Sequence, residues 1–273
     1  MFMLLLCAAC ACAGFASDEP LPGKFSVSET TQVRFSAGNL QYMPNGPFWR
    51  FAENQYDFVG CATTAGNVNY AFDRCSNEHI DPYYDCWIDL FGWGTGKNPT
   101  LSVEDSHEYE EFVDWGTNTI MNGGLFNLYR TLNWEEWFFL LVNRPNASLL
   151  RGQATVNKVH GYILLPDDWK LPKKLAFTPD ANNWTTNTYS VSQWKQMEAA
   201  GAVFLPAGGF RSGHLMSVVG VFGFYWASDV FFDAEGNRTE DGRDIFFSEK
   251  RFGPRDHEKR FYGLSVRLVQ DVR

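Results

Sequence analysis

The sequence predicts an α+β domain built mainly on antiparallel sheet, and three observations carry that prediction. Two segments show the apolar period of a short helix, a longer series of apolar runs is too short for helices, and Gly, Pro or Asn stands at most boundaries. Between residues 24 and 51, Phe25 and Val27, Val33 and Phe35, and Leu40 and Tyr42 alternate with polar neighbours, as half-buried strands do. Gly38-Asn39 and Pro44-Asn45-Gly46 mark turns between them. From Trp87 to Gly96 an apolar run passes into alternating glycines. The third Gly comes one place early for a dinucleotide loop and no helical pattern follows, so phosphate binding is excluded.

The first helix is predicted to start at Asn133, with Glu136 three residues on completing a capping box. Trp134, Trp137, Phe138 and Leu141 fall at i, i+3, i+4 and i+7 and are expected to form one buried face. Glu135 and Glu136 read as first-turn dipole partners and not as acid–base groups. The second helix is expected to begin at Ser190 or Ser192, to carry Val191, Trp194 and Met197 inward, and to stop at Gly201. Apolar runs at 161–166 and 202–206 follow the helices, and each ends in a proline that cannot extend a central ladder. Beyond Pro206 the predicted strands are 218–226, 243–247 and 262–269, with long loops between them. Asp233 to Asn237 has calcium-loop composition, but its Gly comes two positions early, so a hairpin turn is expected.

Composition narrows the class. Of 273 residues, 45% are hydrophobic, and 24 Phe, 11 Tyr and 10 Trp exclude intrinsic disorder. The net charge is −9, and no run of five or six like charges occurs, which argues against a nucleic-acid partner.

Residues 1–16 carry no charged side chain and precede the polar Asp18-Glu19, the pattern of a secretory signal cleaved before Ser17. The run is shorter than the ~20 residues of a membrane span, so no transmembrane segment is expected in the mature chain. Cys10 and Cys12 follow small residues, as at a bacterial lipoprotein cleavage site, and a lipid anchor there is the alternative export route. Export to the cell surface, the outer membrane or the medium is therefore expected, with residues 17–273 as one domain.

Removing the signal leaves Cys61, Cys75 and Cys86, all within a polar insertion loop at 61–86. One disulfide is expected among them, with three pairings open. Closing such a loop stabilises by about 3 kcal/mol. His79 completes the ligand types of a zinc site, but no short Cys-x2-Cys pair is present, and neither a metal nor another cofactor is expected.

Three motifs occur in order. Tyr129-Arg130-Thr131-Leu132-Asn133-Trp134-Glu135-Glu136-Trp137, Gly223-Phe224-Tyr225-Trp226-Ala227-Ser228 and Tyr262-Gly263-Leu264-Ser265-Val266-Arg267-Leu268-Val269 resemble the helix entry, a strand and the terminal strand of the Fibrobacter-type major paralogous domain family. Asn39-Leu40-Gln41-Tyr42, Trp49-Arg50-Phe51 and the segment from Trp87 to Gly94 are similar to a subgroup exported by Bacteroidetes-type gut bacteria. The likeness spans nearly the whole mature chain. It implies a C-type-lectin-like fold, related to the formylglycine-generating, sulfatase-modifying enzymes, in which the first and last strands pair.

The activity of those enzymes is not implied, because their cysteine lies in the C-terminal part of the domain and this chain has no Cys after Cys86. No catalytic residue is assigned, since His-Glu-x-x-His and Gly-x-Ser-x-Gly are both absent. The expectation is a non-catalytic binding module for a glycan or protein ligand; the alternatives are a structural part of a surface fibre and an enzyme that replaced the cysteine chemistry with carboxylates. Rings and charges mixed without a core period single out Phe210, Arg211, His214, Trp226, Asp229, Arg243 and Asp244 as ligand-binding candidates on one exposed face.

Overall fold

The computed structural model describes residues 19–62 and 75–273. The expected leader with Cys10 and Cys12, and Asn67, Asn69 and Asp73 of the insertion loop, lie outside the described residues. Strand β1 (Phe25–Ser26) turns back onto β2 (Gln32–Phe35), and β3 (Leu40–Met43) pairs with β4 (Phe48–Phe51). Helix α1 (Trp134–Phe138) leads to β5 (Arg151–Val156) and β6 (Val159–Leu164), and β7 (Thr188–Tyr189) leads to helix α2 (Val191–Ala199) and β8 (Val203–Pro206). These four strands make a sheet in the order β7-β5-β6-β8, antiparallel except for β5 with β7. Pro206 lies on its edge strand, where a missing N–H breaks no ladder.

A short hairpin of β9 (Phe210–Ser212) and β10 (Leu215–Ser217) precedes the longest strands, β11 (Phe222–Phe232), β12 (Arg238–Ser248) and β13 (Arg251–Lys259), which form one antiparallel sheet. The chain ends on β14 (Val269–Asp271), which pairs with β2 through Val269 opposite Phe35. The architecture is thus mixed α+β, mostly strands, with two helices and several antiparallel sheets.

Side-chain alternation along β11 and β12 divides the interior, because successive residues of a strand face opposite sides. Tyr225, Ala227, Ile245 and Phe247 join one core with Phe25, Phe35, Trp137 and Leu141. Phe224 and Trp226 join another with Trp93, Trp115 and Leu264. A third core lies between the four-stranded sheet and α2, where Ala154, Ile163 and Phe204 meet Trp194 and Met197.

Both helix starts follow local chemistry. Asn133 Oδ1 accepts from the Glu136 N–H at 2.8 Å, and the Asn133 N–H donates to Glu136 Oε2 at 2.9 Å. Ser190 and Gln193 make the same reciprocal pair on α2, which ends before Gly201 at φ +100. The buried face of α1 differs from the expected one. Beyond Phe138 the chain widens into a π turn, Phe139–Asn143, which brings Leu140 and Leu141 in together beside Trp137. Trp134 and Phe138 are left half-buried on the flank.

The strand expected at 262–269 is regular only from Val269. Before it, Gly263, Leu264 and Ser265 make single bridges to Arg211, Phe91 and Tyr225 as the chain threads between elements. The one disulfide among the described residues joins Cys75 to Cys86, with Cα atoms 5.4 Å apart; Cys61 is buried and stands outside that bond. The turn at Asp233 is a hairpin connection, in which Asp233 Oδ1 accepts from the Glu235 and Asn237 N–H groups. No helix among the described residues is long and apolar enough to cross a membrane.

Candidate functional site

The residues expected on one exposed face occupy three different environments. Arg211, Trp226 and Asp244 are fully buried, which corrects the expectation that they meet solvent. Arg211 donates from Nη1 to the Gly213 carbonyl at 2.6 Å and from Nη2 to the Leu90 carbonyl at 3.4 Å. Burial pushes its pKa down to about 10, which still leaves it charged at neutral pH. Trp226 donates from Nε1 to the Phe91 carbonyl at 2.7 Å. Asp244 sits opposite Asp256 in the β12–β13 register, and neither of its carboxylate oxygens has a hydrogen-bond partner among the described residues. Burial, followed by the neighbouring Asp256, Glu258 and Asp241 charges, holds its pKa well above the usual carboxylate range. Phe210 is half-buried against Phe224 and Tyr262, at ring distances of 5.7 and 4.9 Å.

His214 is exposed in the β9–β10 turn, with Nδ1 2.9 Å from the Glu78 carbonyl oxygen. It lines a cavity of about 500 Å³ with His79, Asp81, Tyr83 and Tyr84 of the disulfide-closed loop.

Trp226 and Asp244 are cross-strand neighbours inside the fold, whereas Asp229 and Arg243 come together on the rim of a cavity beside Trp134. Asp229 Oδ2 accepts from the Trp134 N–H at 2.5 Å, which ties the start of α1 to β11. Register shifts on β11 between Trp226 and Val230, and between Val230 and Phe232, re-aim the end of that strand. There Phe231 stacks on His257 at 3.8 Å and 6°. Arg243, paired with His257 across β12 and β13, lies over Phe231 at 4.5 Å and over Trp134 at 4.4 Å. Arg255, two residues along β13 from His257, lies over Trp134 at 5.1 Å and over Phe138 at 3.7 Å. His257, Phe231, Arg243, Trp134, Arg255 and Phe138 therefore form a continuous ladder of rings and cations. Cation–π contacts of this kind contribute roughly 0.5–2 kcal/mol each.

Two cavities open on the Trp134 rung and share Asn133, Trp134 and Glu135. One, of about 510 Å³, is bordered by Phe138, Asn143 and Arg255; the other, of about 290 Å³, by Asp229, Phe232 and Arg243. The Trp134 end is held firmly. Arg130 donates to both oxygens of Glu136 at 2.7 Å and to Asp271 at 2.7 Å, locking the capping box to the last strand. Such a groove supplies flat apolar area, two guanidinium donors and carboxylate acceptors, the set of groups that orients a polar ligand.

No sequence pattern singles out Arg255, Phe231 or Phe232, and the helical period places Trp134 in the core. The available signal is the run of alternate Arg255, His257 and Lys259 with Asp256 and Glu258 between them, which carries no apolar pattern. Compared with known protein families, curated proteins and solved structures, the chain finds no match in any of the three.

Proposed function

We propose that the protein is a non-catalytic exported or cell-surface binding module that takes a glycan or protein ligand in the Trp134 groove. The observation that carries this reading is the convergence of Trp134, Asp229, Arg243 and Arg255, from α1 and three strands, on two adjoining cavities. An interior needs no such charges for packing, whereas a recognition surface uses stacked rings and guanidinium forks. We also read the chain as a C-type-lectin-like member of the major paralogous domain family; the pairing of β2 with β14, which sets residues 33–35 against residues 269–271, supports it. The same pairing disfavours a fibre built by terminal-strand exchange. The enzyme reading draws on Asp256 and Glu258, whose pKa values burial raises, Glu258 to about 7, but neither borders the groove.

A glycan-array and host-protein screen of residues 17–273 tests the reading. Binding that Trp134→Ala and the more exposed Phe232→Ala both weaken is the expected result. Binding that neither change affects refutes the groove as the site, and a hydrolytic activity lost in Glu258→Gln would favour the enzyme reading instead.

A further inference from the structure

We propose that the Trp134 groove recognises an acidic saccharide, a sugar chain bearing carboxylate or sulfate groups, with Arg243 and Arg255 as the two anion-binding residues. This deepens the binding reading above and rests on the groove being the ligand site.

Five observations lead there. Arg130, Arg144, Arg151 and Arg238 each have a carboxylate partner, Arg238 with Glu110. Among the described residues no carboxylate lies within 4 Å of the Arg243 or Arg255 guanidinium, although both stand in a protein of net charge −9. Their guanidinium carbons stand 3.7–5.1 Å from the Trp134, Phe231 and Phe138 ring centroids, and with no carboxylate beside them their N–H donors remain to bind a ligand. A guanidinium fork held between rings matches the two oxygens of a carboxylate or sulfate.

Arg243 is also partly stripped of water, and its pKa is lowered by that burial while Asp229 opposes the shift. An anion restores the lost stabilisation. The same rung carries Asp229 and Glu135, which are acceptors. An acidic peptide would set carboxylates against them, whereas a sugar presents hydroxyl donors beside its acid groups and satisfies both sets. The two cavities, about 510 and 290 Å³, meet across Trp134, and together they reach the size of sites that hold small ligands.

The test measures binding of residues 17–273 to an oligogalacturonate, to its neutral methyl ester, to a sulfated chondroitin oligosaccharide and to an oligoglutamate peptide. One or both acidic sugars are expected to bind, the ester at least tenfold more weakly than its acid, with affinity falling as salt rises. Arg243→Ala and Arg255→Ala are each expected to weaken acidic-sugar binding about tenfold or more, with partial rescue by Lys. Thermal melts of the exposed Arg255→Ala variant separate lost binding from lost folding. An ester that binds as tightly as the acid and is lost with Trp134→Ala overturns the acidic class while leaving the groove reading intact. Acidic sugars that bind undiminished in Trp134→Ala and Arg255→Ala overturn both. Failure of both acidic sugars to bind, or oligoglutamate binding as tightly through the same arginines, overturns the saccharide assignment.

Discussion

Asn77 and Asp89 hold each other reciprocally: the Asn77 amide donates to Asp89 Oδ1 at 2.9 Å, and the Asp89 N–H donates to Asn77 Oδ1 at 2.9 Å. Both are buried, and Asp89 Oδ2 also accepts from the Val59 N–H at 2.8 Å. The clasp fastens the loop closed by Cys75 and Cys86 to the body of the fold. Asn77→Ala leaves two buried polar groups without partners and is expected to cost about 2–4 kcal/mol, read as a lowered urea midpoint.

Asp89 makes this clasp pH-dependent. Burial raises its pKa from the usual carboxylate value to about 6, against its three hydrogen bonds. The folded state therefore binds the proton more tightly than the unfolded chain does. Its contribution to stability is full below about pH 4 and is lost as pH rises through 6. Melts of wild type and Asp89→Asn between pH 4 and 7.5 check this: the difference between the two is expected to shift in favour of the variant from about pH 4 to about pH 6 and to level off above that.

Asp244 has the same sign and no hydrogen bond to offset it. With its folded pKa well above the unfolded one, wild type loses stability relative to Asp244→Asn from about pH 4 upward. Equal pH slopes for the two proteins would show that Asp244 is ionised in the fold.

Asn133 positions Trp134 through the capping box. Asn133→Ala is expected to cost about 1 kcal/mol of stability, and to weaken ligand binding through misplacement of Trp134. Parallel thermal melts and binding curves separate the two effects.

Arg211 behaves oppositely to a surface ligand residue. Arg211→Ala strands the Gly213 and Leu90 carbonyls and opens a buried cavity, and about 3 kcal/mol or more of destabilisation is expected. Hydrogen exchange should rise across β9 and the 263–265 segment that bridges to it.

What was legible in the sequence was local. Capping pairs at Asn133 with Glu136 and Ser190 with Gln193 lie within one turn, and their geometry follows from residue type alone. Apolar alternation marks β2, which has one face in a core, and an unbroken apolar run marks β6, which is buried along nearly its whole length. The candidate site escaped for the opposite reason. Strand β13, with the sequence Arg-Phe-Gly-Pro-Arg-Asp-His-Glu-Lys, faces no core over most of its length, so nothing periodic announces it, and Arg255 and His257 went unseen with it. Arg211 and Asp244 were misread because charged residues are seldom fully buried. Trp134 satisfies a helical period yet stays half-buried, since the stripe is centred on Trp137 and a π turn follows it. Bulges that re-aim Phe231 depend on pairing between strands and leave no mark in the order of residues.

The pairing of β14 with β2 also constrains the order of events during synthesis. Residues 33–35 wait for residues 269–271, so the sheet that holds both ends is completed only after residue 271 has emerged. Contacts this distant in sequence form slowly. Joining residue 273 to residue 19, which line one cavity, and opening the Asp233 turn would give a permuted chain that closes this sheet early, and its refolding rate would measure how much that delay matters.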